Sequence, residues 1–386
     1  MPGTQNDELT SQIVSQVRKF VDQEVIPVAS KLESADEYPT DIVEQMRTMG
    51  LFSCTISEKY GGMGLPFETY AGIVEEVARG WMSLGGILNT HIIVSHMIET
   101  FGSDAQKSRF LPVMAKGEKR CGLCITEPNA GSDVQAIETT AIKSGNDYLI
   151  TGDKLYVTNG KTAQFFAVLA KTDTKANPPY SGISCFIVEK GTSGLSIGRN
   201  WDKMGYKGVE TCELIFDNAS VPESNLLGEN EGQGFRQVMS GLEVGRINIG
   251  ARAVGVARAA FEDAINYSQQ RKTFGKAISG HQAIQLKLAE MYTKIQAARQ
   301  LVSLAAKAKD RGDRCDLEAG MAKLFATETA HEVTMDAMRI FGGIGYTKAT
   351  NVERYFRDAP LMIVAEGTNE IQKITIARNL LKMYKI

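Results

Sequence analysis

The sequence predicts an α+β multidomain protein: an N-terminal all-α domain, a middle antiparallel β-barrel or sandwich domain, and a C-terminal domain of four-helix-bundle type. Three observations carry this reading. Residues 8 to 118 hold apolar residues at helical spacing. From Gly122 to Leu227 the pattern changes to short β-branched and aromatic runs between Gly, Asn and Asp turns. Beyond Gly234 the apolar spacing is helical again and the segments are long. Strands that follow one another without intervening helices form antiparallel sheets. The boundaries are placed at 1–119, 120–231 and 232–386.

In the first part Ile13, Val17, Phe20, Val21 and Val25 mark one helix face, and Pro27 ends or bends that helix. Thr40-Asp-Ile-Val-Glu offers a cap and first-turn acids for a second helix. Tyr60-Gly-Gly-Met-Gly-Leu-Pro is a loop, whose glycines lack the βαβ surroundings of a dinucleotide fingerprint. Phe67–Arg79 and Met82–Phe101 are two further helices. The second is apolar on more than one face and is therefore central.

The middle part contains the runs Ala141–Lys143, Tyr148–Thr151, Leu155–Thr158, Phe165–Ala170, Ile183–Val188 and Cys212–Phe216. Gly145-Asn-Asp is a tight hairpin between the first two. In the last part Phe235–Gln270 is one long helix with Gly241, Gly245, Gly250 and Gly255 among alanines. Such small residues let a neighbour approach closely, at about 1 kcal/mol of helix propensity per glycine. Ile284, Leu288, Met291, Ile295, Ala298, Val302 and Ala305 form the seam of an antiparallel bundle. A helix beginning at Asp316 ends at Gly342-Gly343, and another spans Asn369–Met383.

Composition narrows the function. At 386 residues and 43% hydrophobic content the chain can build cores for two or three domains. The formal charge of −2 contains no run of five like charges, which argues against nucleic acid or acidic lipid as partner. No apolar run reaches the length of a membrane span, and Met1–Leu9 is polar and acidic rather than signal-like, so a soluble, cytoplasmic protein is expected. Of the six cysteines only Cys121 and Cys124 form a CxxC, without a second CxxC or a nearby histidine. They are expected to be small buried thiols in a strand. His91 and His96 are five apart, on different helix faces, and no HExxH or P-loop pattern is present, so no metal site is expected.

One stretch concentrates chemistry. Leu361–Ala365 runs into a single carboxylate, Glu366, followed by Gly367, and Thr368 or Asn369 can cap a new helix, with Gln372 completing a capping box from Asn369. Desolvation behind an apolar run raises a carboxyl pKa, while a helix N-terminus lowers it. On this stretch alone Glu366 is equally a catalytic base or an exposed loop acid.

The whole chain, however, resembles the acyl-CoA dehydrogenase family of flavoproteins. Cys124-Ile-Thr-Glu-Pro-Asn-Ala-Gly-Ser-Asp133 looks like that family's first motif, and Glu366-Gly-Thr-Asn-Glu-Ile-Gln372 lies within its second. Between them Tyr156-Val-Thr-Asn-Gly160, Arg271-Lys-Thr-Phe-Gly275 and Arg339-Ile-Phe-Gly-Gly343 follow in the family's order. The resemblance implies FAD as cofactor. It places Cys124, Ile125, Thr126, Tyr156, Val157 and Thr158 around the flavin ring, Tyr156 where a tryptophan is common, and Gly131 and Ser132 at the pyrophosphate. Arg271 matches the family's second-subunit arginine at the diphosphate, Phe274 and Gln282 match residues around the adenosine half, and Gly342 and Gly343 match a loop that clasps the cofactor from a neighbouring chain, with Arg339 departing from the usual glutamine there. Thr368 and Glu370 are placed beside the cofactor as well.

On the substrate side the resemblance implies Ser132, Glu243, Arg246, Ala365 and Gly367, although Glu243 and Arg246 read equally as an i, i+3 surface pair. Some members carry the base immediately before the arginine; here that position is Gly245, so Glu366 is the expected catalytic base. The implied reaction is α,β-dehydrogenation of an acyl-CoA to a trans-2-enoyl-CoA, with electrons leaving to an electron-transferring flavoprotein from a homodimer or homotetramer. Ala365 stands where straight-chain members often have an aromatic, which points to a short, branched or cyclic acyl group, with the pocket base between Leu84 and Ser95. An acyl-CoA oxidase on the same scaffold and a non-catalytic helical binding scaffold are the alternatives.

Overall fold

The structure is a computed structural model that describes residues 3–385. The N-terminal helices are α1 (Gly3–Phe20), α2 (Ile26–Ala35), α3 (Thr40–Thr48), α4 (Phe67–Gly80), α5 (Met82–Phe101) and α6 (Asp104–Ala115). A π-helical turn at Val21–Val25 joins α1 to α2, so the helix bends just before Pro27, as a missing N–H demands. α5 is buried on almost every side, the central position its apolar faces predict. His91 on α5 sits 3.0 Å from the Phe52 carbonyl.

The strands are β1 (Cys121–Cys124), β2 (Thr140–Ser144), β3 (Asp147–Thr158), β4 (Phe165–Lys171), β5 (Ile183–Glu189), β6 (Leu195–Asn200) and β7 (Thr211–Pro222). They form one sheet in the order β1-β4-β2-β3-β7-β6, with β5 paired to β4. Gly145 takes a positive φ at the β2–β3 turn, as the hairpin requires. Two details differ from expectation. The sheet is mainly antiparallel, but β1 enters from a helix and runs parallel to β4, Cys121 opposite Phe165. Tyr148–Thr151 and Leu155–Thr158 are one strand, whose register against β7 shifts at Ile150/Gly152 and again at Lys154/Val157.

All six cysteines are buried free thiols. Cys121 and Cys124 point to opposite faces of β1, into different cores, which is what a three-residue offset in a strand gives.

The last part comprises α7 (Gly234–Gln270), a small hairpin β8 (Lys272–Thr273) and β9 (Lys276–Ala277), α8 (Gln282–Asp310), α9 (Asp316–Phe341), α10 (Val352–Val364) and α11 (Asn369–Met383). α4, α5, α7, α8 and α9 share one hydrophobic core, so the first and last helical parts pack as one body around α7. The glycines of α7 make this possible: a Cβ at Gly255 would lie 2.3 Å from the Glu75 carbonyl oxygen of α4. Among the described residues no helix is long and apolar enough to cross a membrane.

Candidate active site

α10 ends in an extended residue, Ala365, and the next two take left-handed backbone, Glu366 at φ 56 and Gly367 at φ 85. A left-handed non-glycine residue costs on the order of 1 kcal/mol or more and persists where the surroundings over-determine it. Here they do. Lys323 of α9, fully buried, donates to the carbonyls of Ile363 (2.8 Å) and Gly367 (3.0 Å) and to Asn369 Oδ1 (2.6 Å). Gln372 Nε2 donates to the Gly367 carbonyl at 3.0 Å, and Arg246 Nε to the Glu366 carbonyl at 3.3 Å.

This network corrects the expected capping box. Thr368 is the cap of α11, accepting from the Ile371 N–H, while Asn369 and Gln372 are taken up by Lys323 and by the loop carbonyls. The Glu366 N–H has no backbone acceptor among the described residues.

The Glu366 side chain is turned inward. Oε1 accepts from Asn89 Nδ2 of α5 at 2.9 Å. Oε2 is sealed from solvent and has no hydrogen-bond partner. The residue as a whole is partly accessible, but that sealed oxygen sets the solvation of the acid. Burial raises its pKa above the usual carboxylate range, against the charges of Arg252 and Arg246 and the Asn89 hydrogen bond. No cation lies within 4 Å of it among the described residues. Across from Oε2 is Gly245, where an added Cβ would stand 2.5 Å away. The exposed-loop-acid alternative does not hold.

Glu243 and Arg246 are not a surface pair either. Both are buried; Glu243 pairs with Lys309 at 2.9 Å, and Arg246 turns to the Glu366 loop. Gly367 and the half-buried Ala365 flank the carboxylate in sequence.

The ends of β1 and β3 meet beside the helices, fixed by the Leu155 N–H to the Thr126 carbonyl at 2.8 Å. Ile125, Thr126 and Thr158 are partly buried there, whereas the Cys124 thiol and Val157 side chain point into the sheet core and leave only backbone to a ligand. Beneath them Lys154, fully buried, pairs with Glu127 at 2.6 Å and donates to the Ile125 carbonyl. Glu127 in turn accepts from the Glu138 and Thr139 N–H groups. Against the burial that would raise it, the Lys154 charge and these hydrogen bonds hold Glu127 ionised, below the usual range. Tyr156, at φ 57 and 55% exposed, faces Trp201 with ring centroids 5.4 Å apart. Asn159 ties this end to α5 through the Ile87 carbonyl and Thr90.

Three family descriptions match in chain order: acyl-CoA dehydrogenase N-terminal domain over residues 7–118, middle domain over 122–219 and C-terminal domain over 232–381. An acyl-CoA dehydrogenase of Bacillus subtilis (strain 168) is 43% identical over 366 residues, 95% of this chain and 96% of its own. The chain belongs to the acyl-CoA dehydrogenase family. It is also 40% identical, over 98% of its length and 99% of the relative's, to a 3-(aryl)acrylate reductase of Clostridium sporogenes (strain ATCC 15579). The structure of butyryl-CoA dehydrogenase from Megasphaera elsdenii superposes with a TM-score of 0.94 at 36% identity, covering 96% of this chain and 98% of that one. The protein is an FAD-dependent acyl-CoA dehydrogenase.

As a family member it must hold FAD, and its residues fit. Hydroxyl and backbone donors at Thr126 and Thr158 suit the polar edge of the ring, and an exposed aromatic, Tyr156, stands beside them. A Cβ at Gly131 would meet nothing within 4 Å, so the loop it shares with the exposed Ser132 is open for a diphosphate to lie against backbone. Thr368 is partly buried at its cap, and Glu370 is exposed one residue into α11.

The remaining candidates lie elsewhere. Arg271 follows α7 by one residue and is 25 residues from Arg246, about 37 Å along the helix at 1.5 Å per residue. Tyr267 stacks on Phe341 at 4.2 Å, which puts the Arg271–Phe274 hairpin beside Gly342 and Gly343. Phe274 is 96% exposed at φ 49, Gln282 is exposed, and Arg339 is exposed against Asp336 at 3.0 Å. This exposed end of the helical domain lies away from Glu366.

Sequence reasoning did not find Asn89, Lys323 or Arg252. The signal that could have found one of them is a lone cation inside a run of small residues, Arg252 within Gly250–Gly255. Such a helix face is close-packed, and a long charged side chain there needs an internal partner.

Proposed function

We propose that Glu366 removes the α-proton of a short, branched or cyclic acyl-CoA, giving a trans-2-enoyl-CoA. The observation that carries this reading is the sealed, unpartnered Oε2 on a left-handed backbone opposite Gly245. A thioester α-proton is a weak acid, so its base must be desolvated and fixed, and the carbonyl beside it polarised. Burial supplies the first, and the Lys323, Gln372 and Arg246 contacts to the loop supply the second. The unbonded Glu366 N–H is the donor in reach of the thioester oxygen. FAD, when bound, takes the hydride that leaves the β-carbon. Thr126 and Thr158 would hold the polar edge of the ring, and the sealed helical core keeps water from the base.

Substrate size follows from what borders the carboxylate. Ala365 is small, and α5 contributes Asn89 beside the carboxylate. Turnover of butyryl-, isobutyryl-, cyclic and octanoyl-CoA with an artificial electron acceptor tests this; preference for straight octanoyl-CoA contradicts it. An electron-transferring flavoprotein is the proposed acceptor, and slow reaction of the reduced protein with oxygen separates that from an oxidase. The reductase among the relatives supports a second reading in which the same residues run the reverse reaction, Glu366 returning the proton. Since Arg271 and Phe274 cannot reach the Glu366 site of their own chain, a homodimer or homotetramer is part of the proposal, tested by light scattering with and without FAD.

A further inference from the structure

Arg252 lies in the middle of α7, 3% exposed, and its Nε and Nη1 are buried with no hydrogen-bond partner. No carboxylate comes within 4 Å of its guanidinium among the described residues; the same holds for the buried Arg246, Lys323 and Arg354, but those three donate to oxygens of the fold, whereas Nε and Nη1 of Arg252 donate to nothing. Its one close aromatic neighbour is the buried Tyr206, whose ring centroid is 5.8 Å from the guanidinium carbon. A buried cation without a close anion is unfavourable; the Glu366 carboxylate that its charge favours lies beyond 4 Å and leaves the Nε and Nη1 hydrogen bonds unmade, for a ligand to complete.

Its place in the site says what that is. Gly245, which faces the Glu366 carboxylate, Ile249 and Arg252 recur at spacings of four and three and so share one face of α7. Arg252 is seven residues, about 10 Å, further along the axis, and helical side chains lean back toward the N-terminus, here toward Glu366. Its charge is the largest of those opposing the raised pKa of Glu366, consistent with that direction. Two glycines of α5 let Arg252 and Tyr206 pack directly against that helix. A Cβ at Gly85 would lie 2.8 Å from the Arg252 stem, and one at Gly86 would lie 1.8 Å from the Tyr206 hydroxyl. Asn248, alongside, is held by Tyr70 and the Gly85 carbonyl and does not turn to Arg252.

We propose that Arg252 is the specificity residue at the far end of the acyl pocket, and that the preferred acyl group is short and ends in a carboxylate. The proposal rests on the acyl-CoA reading of the Glu366 site and narrows its substrate class. A guanidinium whose N–H groups are unpartnered donates charge-assisted hydrogen bonds to a carboxylate, which a neutral alkyl end cannot accept.

The test uses the full FAD-loaded protein carrying Glu366→Gln, so that thioesters bind without turnover. Affinities of glutaryl-CoA and pentanoyl-CoA are measured by calorimetry, then repeated with Arg252→Gln and Arg252→Lys added. Tighter binding of glutaryl-CoA by at least tenfold, a ratio that collapses with Arg252→Gln and partly returns with Arg252→Lys, is expected. Equal affinities, or a preference for pentanoyl-CoA while Arg252 is intact, overturn the proposal even if the Arg252 variants do not fold, and leave the dehydrogenase reading standing. A shift of the pH profile of turnover in Arg252→Gln without any change in the ratio also overturns it, since Arg252 then only offsets the charge of Glu366. Failure of every thioester to bind, or to bleach the flavin of the protein with Glu366 intact, removes the functional reading itself, and this one with it.

Discussion

The missing Cβ of Gly245 and the Oε2 of Glu366 occupy one space: a methyl group at 245 would stand 2.5 Å from that oxygen and 2.8 Å from Ile93 Cδ1. A glycine inside a helix costs about 1 kcal/mol against alanine, and here the carboxylate requires it. The same contact explains physically why a base on α7 and a base at 366 are alternatives, since each would fill the volume the other needs.

Gly245→Ala therefore displaces the carboxylate. Turnover is expected to fall about 100-fold, the effect of a roughly 1 Å misplacement, while flavin content stays normal. Helix propensity acts in the opposite direction on stability, by about 1 kcal/mol. Unchanged turnover would separate position 245 from the base.

Lys323→Met removes the three hydrogen bonds that hold the loop, and stranding their acceptors is expected to cost about 3 kcal/mol. Burial pushes the Lys323 pKa down to about 7, with the Glu366 charge opposing. Between that value and its ordinary 10.5 the unfolded chain holds more protons, so the parent protein gains stability as pH rises through this window. The methionine variant lacks that gain. Urea midpoints at pH 6 and pH 9 should show the gap between the two proteins widening at the higher pH; a constant gap counts against it.

Reduction of the flavin by substrate is expected to rise with pH through the raised pKa of Glu366, because only the ionised carboxylate takes a proton. Asn89 donates to Oε1 and so favours that charged form. In Asn89→Leu the pKa rises further and the acidic limb of the rate profile moves to higher pH. A limb that stays in place, or moves down, would show that another group titrates.

Lys154→Met leaves the Glu127 carboxylate buried without its cation. Breaking one side of such a pair costs about 3–5 kcal/mol, and the Ile125–Thr126 segment loses an anchor. A lower urea midpoint together with weaker FAD retention is expected; loss of stability with FAD affinity intact would confine the pair to a structural role.

Much of this was legible in the sequence where local pattern decides structure. The helix-strand-helix order, the face of α8 at Met291, Ile295, Ala298 and Val302, and the Gly145 hairpin follow from periodicity and turn chemistry alone. α6 was not foreseen: Pro112 sits inside it and its apolar residues follow no single stripe, although Ser103 and Gln106 form a capping box. α10 was hidden in the same way by Pro360.

The site was legible only in part, for a different reason. Glu366 stood out from its neighbours, but what makes it a desolvated, fixed acid comes from Asn89, Gly245, Arg246 and Lys323, on three other helices. The sequence leaves Thr368 and Asn369 both open as the cap of α11, and the capping box from Asn369 to Gln372 does not form because Lys323 takes Asn369 away, a contact no local rule contains. Arg252 was missed because its significance is the absence of a partner, which a sequence cannot display.

The most direct test of the role given to Glu366 is anaerobic mixing of the purified flavoprotein with acyl-CoA, following the loss of flavin absorbance in the parent and in Glu366→Gln. The account predicts equal flavin content in both proteins and a rate of bleaching at least ~1,000-fold lower in the variant, within the range a positioned base contributes. Bleaching at the parental rate in a variant that still binds the thioester would contradict it.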